Sequence, residues 1–173
     1  MMQRRQVLGL LLTLPLAGCG FRLRGSDPTT VTLPPALQVV SDDPYGRIVQ
    51  LLTQDLRGRG VSVVTEQAPI LTVGGLLESQ RVLGPVVRNG VSVDQIELLT
   101  TLQYTLDGPD RVNWIPETTV QATVIYVEGA TENSNEAART RALRERLLAD
   151  VAAQVVPSLS LRYGQWLSQG EGR

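Results

Sequence analysis

The sequence predicts an α+β domain with two helices packed on one face of a four-stranded mixed sheet, in the order β-α-β-β-β-α. Three observations carry this reading. Residues 95–106 follow a two-residue period: Ile96, Leu98, Thr100, Leu102, Tyr104 and Leu106 point one way, and Gln95, Glu97, Thr101, Gln103 and Thr105 the other. That two-residue period describes a long strand with one buried and one wetter face. Residues 118–128 repeat it, with Val120, Ala122, Val124 and Tyr126 on one side. Finally, two apolar stripes at helical spacing bracket these strands, Ile48/Leu51/Leu52/Leu56 before them and Leu143/Leu147/Val151/Val155 after.

Residues 1–18 read as a lipoprotein signal peptide rather than as part of the fold. Arg4 and Arg5 precede an apolar run of about ten residues from Val7 to Leu16, half of the roughly 20 needed to span a bilayer but right for a secretory signal core. Arg4-Arg5 fits a basic n-region and also, faintly, a twin-arginine export signal. Leu16-Ala17-Gly18-Cys19 has the form of a lipobox, and Cys19 is the single cysteine of the chain, with no disulfide partner. Lipidation of its thiol accounts for the charge, length, small residues and cysteine together. Residues 19–35 follow as a lipidated N-terminus and tether, rich in Thr, Pro and Asp from Ser26 onward.

The folded domain is expected over residues 36–157. Residues 36–40 form a short apolar first strand. Asp43 is placed to cap the first helix with Pro44 at its first helical position, and Arg57-Gly58-Arg59-Gly60 supplies its end. Residues 61–64 extend toward the second strand, residues 70–78, where Gly74-Gly75 signals a bulge or a close backbone approach. A connection carrying Gly84-Pro85 and Arg88-Asn89-Gly90 reverses the chain, Asn-Gly being a tight-turn signal. The two long strands follow as a meander around Asp107-Gly108-Pro109-Asp110. The second helix runs from Asn133 to Val156, with Arg144 falling inside its apolar stripe, and Pro157 ends it. Residues 158–173 lack periodicity and read as a flexible C-terminal tail, in which Trp166 and Leu167 pack on a partner or on the domain's own surface. The first two strands should be parallel neighbours across the helical crossover. The polar set at Glu97, Thr101 and Gln103 suits exposure or a polar enclosure.

Composition narrows the function. Of the 173 residues, 17 are acidic and all 16 cations are arginine; removing Arg4 and Arg5 with the signal leaves 14 against 17, a net charge of about −3. That balance argues against nucleic acid as a partner, while each guanidinium remains able to grip a carboxylate or phosphate with two donors. The chain has no histidine, hence no histidine-based triad or histidine–zinc site. It also has no glycine-rich phosphate loop, nucleophile elbow or calcium loop. An enzyme is not expected, and no metal or dissociable cofactor; the only non-protein group is the covalent lipid on Cys19.

The motif Cys19-Gly20-Phe21-Arg22-Leu23-Arg24-Gly25, the element order, Arg88-Asn89-Gly90 ahead of a long polar–apolar strand, and Asn135-Glu136 before an arginine-rich helix together resemble the LptE family of lipopolysaccharide-assembly lipoproteins. The resemblance covers nearly the whole chain after Cys19. It implies an outer-membrane lipoprotein, anchored by lipid, whose domain lies on the periplasmic side and within the lumen of the LptD β-barrel as its plug and assembly factor. Lipopolysaccharide would be a second partner. Gly20 is compatible with onward sorting from the inner membrane. Arg88 matches a lipopolysaccharide-binding position of the family, its alternative being a solvated turn arginine. The second basic position expected before the last helix is matched by uncharged Asn133. Arg139, the nearest arginine, either substitutes for it or simply faces solvent. The reading from another class is a periplasm-facing lipid-binding or scaffolding lipoprotein with no barrel partner.

Overall fold

In the computed structural model, residues 32–88, 90–128 and 133–170 are described. The signal peptide, Cys19 and most of the tether lie outside them. The elements are β1 (Ala36–Ser41), α1 (Arg47–Gly58), β2 (Ser62–Val63), β3 (Ile70–Arg88), β4 (Val91–Asp107), β5 (Asn113–Val127) and α2 (Asn133–Gly170). The sheet order is β2-β1-β3-β4-β5. β1 is parallel to both β2 and β3, and β3-β4-β5 is an antiparallel meander.

The predicted α+β architecture holds, with five strands in place of four. The additional strand is the two-residue β2, tied to β1 by Ser62 N–H donating to Pro35 O and Val64 N–H to Leu37 O, both 3.0 Å. Two residues are too few to show a period, so this segment reads from sequence only as an extension. The long strands follow their alternation. Ile96, Leu98, Thr100, Leu102, Tyr104 and Leu106 are all buried, as are Val120, Ala122 and Tyr126. All of these except Thr100 form one core with Ile48, Leu52 and Leu56 of α1 and Leu147, Val151 and Val155 of α2.

α1 starts later than its capping signals suggest. Asp43 and Pro44 lie in a turn, closed by Gly46 N–H donating to Asp43 O at 3.1 Å, and Gly46 is the N-cap with no side-chain cap. Its end is as expected: Gly60, at φ +82°, donates to Arg57 O, and Val61 N–H donates to Leu56 O, both 3.0 Å.

β3 runs through Gly84-Pro85, predicted above to lie in a connection, and continues to Arg88, which pairs with Val91 at the start of β4. The register shifts between Gly74 and Leu77 and again between Val82 and Gly84. The first is the bulge that Gly74-Gly75 announces, Gly75 taking φ +60°.

Pro157 does not end the second helix. α2 continues to Gly170, so residues 158–170 are helical and not a loose tail. Proline removes the hydrogen bond to the carbonyl four residues back and costs about 3 kcal/mol in a helix interior. Here both Pro157 and Ala153 are exposed, which leaves that carbonyl to water. Beyond it Leu159 is fully buried and Trp166 stacks on Trp114. Burying a leucine contributes about 1.5–3 kcal/mol and an aromatic pair about 0.5–1.5 kcal/mol beyond its area, enough to carry the helix through. Arg144, the misfit in the stripe, is half-exposed and reaches Glu78 on β3 at 3.8 Å.

Candidate functional site: the open sheet face and the hairpin tip

Because strand side chains alternate, a sheet with both helices in the core on one side presents its odd-numbered β4 residues on the other. That open face is knitted by polar pairs. Arg81 on β3 lies 2.8 Å from Glu97 on β4. Gln103 Nε2 donates to Glu117 Oε1 at 3.2 Å. Thr101 pairs across to Gln121, and Gln103 to Thr119. The polar set Glu97, Thr101 and Gln103 thus shares one face with the threonines and glutamine of β5, and this face is wet and rich in hydrogen-bonding groups. A barrel lumen is polar in the same way.

Arg88 is the last residue of β3, exposed at the tip of the β3–β4 hairpin. It makes no ion pair among the described residues. The register places Arg88 and Val91 opposite each other, on the same side as Glu97 by alternation. Arg139 is elsewhere: its guanidinium lies over the ring of Tyr126, 6.0 Å from the centroid, within cation–π range. Tyr126 pairs with Ile96 and belongs to the core side. Five strand residues, roughly 17 Å, separate the levels of Ile96 and Val91. The structure therefore does not bring Arg139 to Arg88, and Arg139 packs on Tyr126 instead of facing solvent freely. Asn133 begins α2.

Three features escape the local sequence patterns. Trp114, Tyr163 and Trp166 form an aromatic cluster where β5 begins and α2 ends, with Trp114–Trp166 centroids 4.6 Å apart and Tyr163 5.7 Å from Trp114. Burial pushes the Tyr163 phenol above its ordinary value. The signal is present, Tyr163 and Trp166 being three apart, one helical turn, but a helix stopped at Pro157 hides it. The second is a cleft of about 550 Å³ where β1 ends, walled by Ile48, Val73, Leu76, Leu102 and Leu148. No local pattern marks it, because its walls come from five separate elements. The third is the exposed apolar outer half of β3, with Leu77 and Val82 68% and 59% exposed. Among the described residues no group of three or more Cys, Asp or Glu is placed to hold a metal, and no helix is long and apolar enough to cross a membrane.

The chain matches the family model LptE, described as lipopolysaccharide-assembly, over residues 35–159. The "LPS-assembly lipoprotein LptE" of Yersinia enterocolitica is 37% identical over 125 residues, covering 64% of this chain and 58% of the relative. The protein of the same name from Yersinia pestis is 36% identical over 118 residues, covering 62% and 55%. The chain thus spans a little over half the length of these curated relatives. Among solved structures, lipoprotein B of Nitrosomonas europaea superposes with a TM-score of 0.64 at 17% identity, covering 87% of this chain and 96% of that one. The rare lipoprotein B of Shewanella oneidensis gives 0.61 at 16% identity, covering 72% and 93%. At such identities these two share the fold.

Proposed function

The chain belongs to the LptE family of lipopolysaccharide-assembly lipoproteins, and from that premise we propose that it is the plug and assembly factor of the LptD β-barrel. Members of the family are assembly lipoproteins and not enzymes. In this reading a lipid on Cys19 holds the domain at the outer membrane on its periplasmic side. One acyl chain gives only marginal anchoring, so more than one is required.

The observation that supports the plug role is the open face of β3-β4-β5. Its Arg81–Glu97 and Gln103–Glu117 pairs and its threonines offer donors and acceptors across a long surface. Such a surface suits a polar lumen, and it supports the barrel interior as the place where this face is used. Arg88, exposed at one end of that face, is the residue proposed to contact lipopolysaccharide, its planar guanidinium giving a phosphate two donors.

The test is purification of the full lipidated chain from outer membranes. The expected result is a stoichiometric complex with an LptD barrel, and a misfolded barrel when the chain is depleted. A chain that folds and localises with no barrel partner would overturn the reading in favour of a periplasm-facing lipid-binding or scaffolding lipoprotein.

A further inference from the structure

The outer edge of β3 is open for most of its length. β3 has 19 residues, and β1 pairs with only Ile70, Leu71, Thr72 and Val73 of them. Past Val73 β1 turns away into α1, and among the described residues no strand takes its place. Between the two register shifts the ladder to β4 is regular over the six residues from Leu77 to Val82. The backbone groups facing away from β4 along that stretch have no neighbouring strand among the described residues. Unpaired edge groups of this kind are satisfied in register by another extended main chain.

Native edges are commonly blunted by charged side chains. Here the two charges on the stretch are engaged within the domain: Arg81 with Glu97 at 2.8 Å and Glu78 with Arg144 at 3.8 Å. The apolar side chains Leu76, Leu77, Val82 and Leu83 are all exposed. The other edge of the sheet, β5, differs. Its exposed residues from Glu117 to Ile125 are Glu117, Thr119, Gln121, Thr123 and a single large apolar one, Ile125, and α2 packs against it.

The cleft of about 550 Å³ adds an independent observation. It opens where β1 leaves β3; Gly74, Gly75 and Leu76 line one part of it, Ile48 and Leu148 supply further apolar lining, and Asp42, Asp43 and Arg47 supply charged lining. A strand added beyond β1 would begin at its mouth and could seat one bulky apolar side chain there. Main-chain pairing supplies affinity and a side-chain pocket supplies specificity in this mode of recognition.

We propose that the outer edge of β3, from Leu76 to Leu83, accepts an extended segment of the barrel partner by strand addition, with one apolar side chain of that segment in the Ile48–Leu76–Leu148 cleft. The occupant rests on the plug reading above; the pairing geometry does not. Backbone hydrogen exchange of the full chain, free and in the purified barrel complex, tests it. Alternate amides of residues 76–83 are expected to slow at least about tenfold in the complex, and more than those on the outer edge of β5. Leu76→Glu, at the cleft mouth, should lower recovery of the complex about tenfold, a loss of about 1.4 kcal/mol in affinity, while Val87→Glu, beyond the second bulge, leaves it unchanged; far-UV circular dichroism checks that both fold. A recovered complex with unslowed edge amides, or full recovery with Leu76→Glu, overturns this inference alone. Failure to recover any barrel overturns it together with the plug reading. A dimer of the free chain with the same amides protected assigns the edge to a second copy and overturns it as well.

Discussion

Tyr104 Oη and Ser158 Oγ lie 2.7 Å apart, a hydrogen bond that joins β4 to the first turn of α2 after Pro157. Tyr104 is almost fully buried, whereas Ser158 is half-buried. The two ends of the bond are therefore unequal. Removing the tyrosine hydroxyl leaves a serine that water can reach. Removing the serine strands a hydroxyl inside the core.

Tyr104→Phe is accordingly expected to cost about 1 kcal/mol, the net worth of an ordinary hydrogen bond, and to lower Tm by roughly 3–5 °C for a domain of this size. Ser158→Ala should cost more, up to about 3 kcal/mol, because the buried Tyr104 hydroxyl loses its partner. Thermal unfolding of the two variants settles the order. The reverse order would mean that Tyr104 finds water on the inside.

The aromatic cluster makes the segment after Pro157 part of the fold. Trp166→Ala removes the ring stacked at 4.6 Å on Trp114 and the contact to Tyr163 at 5.8 Å. A loss of about 2–4 kcal/mol is expected, the lower range for truncating a large aromatic in a half-buried site. Near-ultraviolet circular dichroism should lose the coupled tryptophan signal at the same time. A neutral Trp166→Ala would return residues 158–170 to the status of a dispensable tail.

The parts of this fold that are legible in the sequence are those where one face is buried and the other is not. Residues 96–106 and the stripe Leu147/Val151/Val155 declare their partners by period alone. β3 shows the opposite case. From Gly75 to Leu83 every residue is exposed, so burial imposes no alternation, and local pattern carries the strand only as far as Glu78. Pro157 misleads because the rule that proline stops helices is local, whereas the burial of Leu159 and the stacking of Trp166 are tertiary and outweigh it. The polar face is visible as Glu97, Thr101 and Gln103, but its cross-strand partners Arg81 and Glu117 require the register. The separation of Arg88 from Arg139 likewise follows from register, which sequence spacing does not contain.

Gly75 offers a test of the first bulge. It sits at φ +60°, and a Cβ there would collide with Oε1 of Gln103, whose Nε2 is engaged with Glu117. Gly60, at φ +82°, has open space around it. Gly60→Ala is expected to cost about 1 kcal/mol, the strain of the left-handed region alone. Gly75→Ala should cost about 1 kcal/mol more, since Gln103 must give up its bond to Glu117. Denaturant unfolding compares them. Equal losses would show that Gln103 moves aside freely.

Arg88→Glu separates recognition from folding. The side chain is exposed at the hairpin tip and makes no ion pair among the described residues, so its replacement should leave stability within about 0.5 kcal/mol, as for surface substitutions in general. If the guanidinium contacts a lipid phosphate, the charge reversal removes a bidentate attraction and adds a repulsion. Each charge-assisted contact is worth about 1.5–3 kcal/mol, so binding of lipopolysaccharide to the purified domain should weaken by roughly ten- to a hundredfold. Arg139→Glu serves as the control, because its guanidinium rests on Tyr126 on the other side of the sheet. It is expected to lower stability and to leave binding unchanged. A direct titration of lipopolysaccharide against the three proteins decides the matter, and equal affinity for wild type and Arg88→Glu would make Arg88 a solvated turn residue.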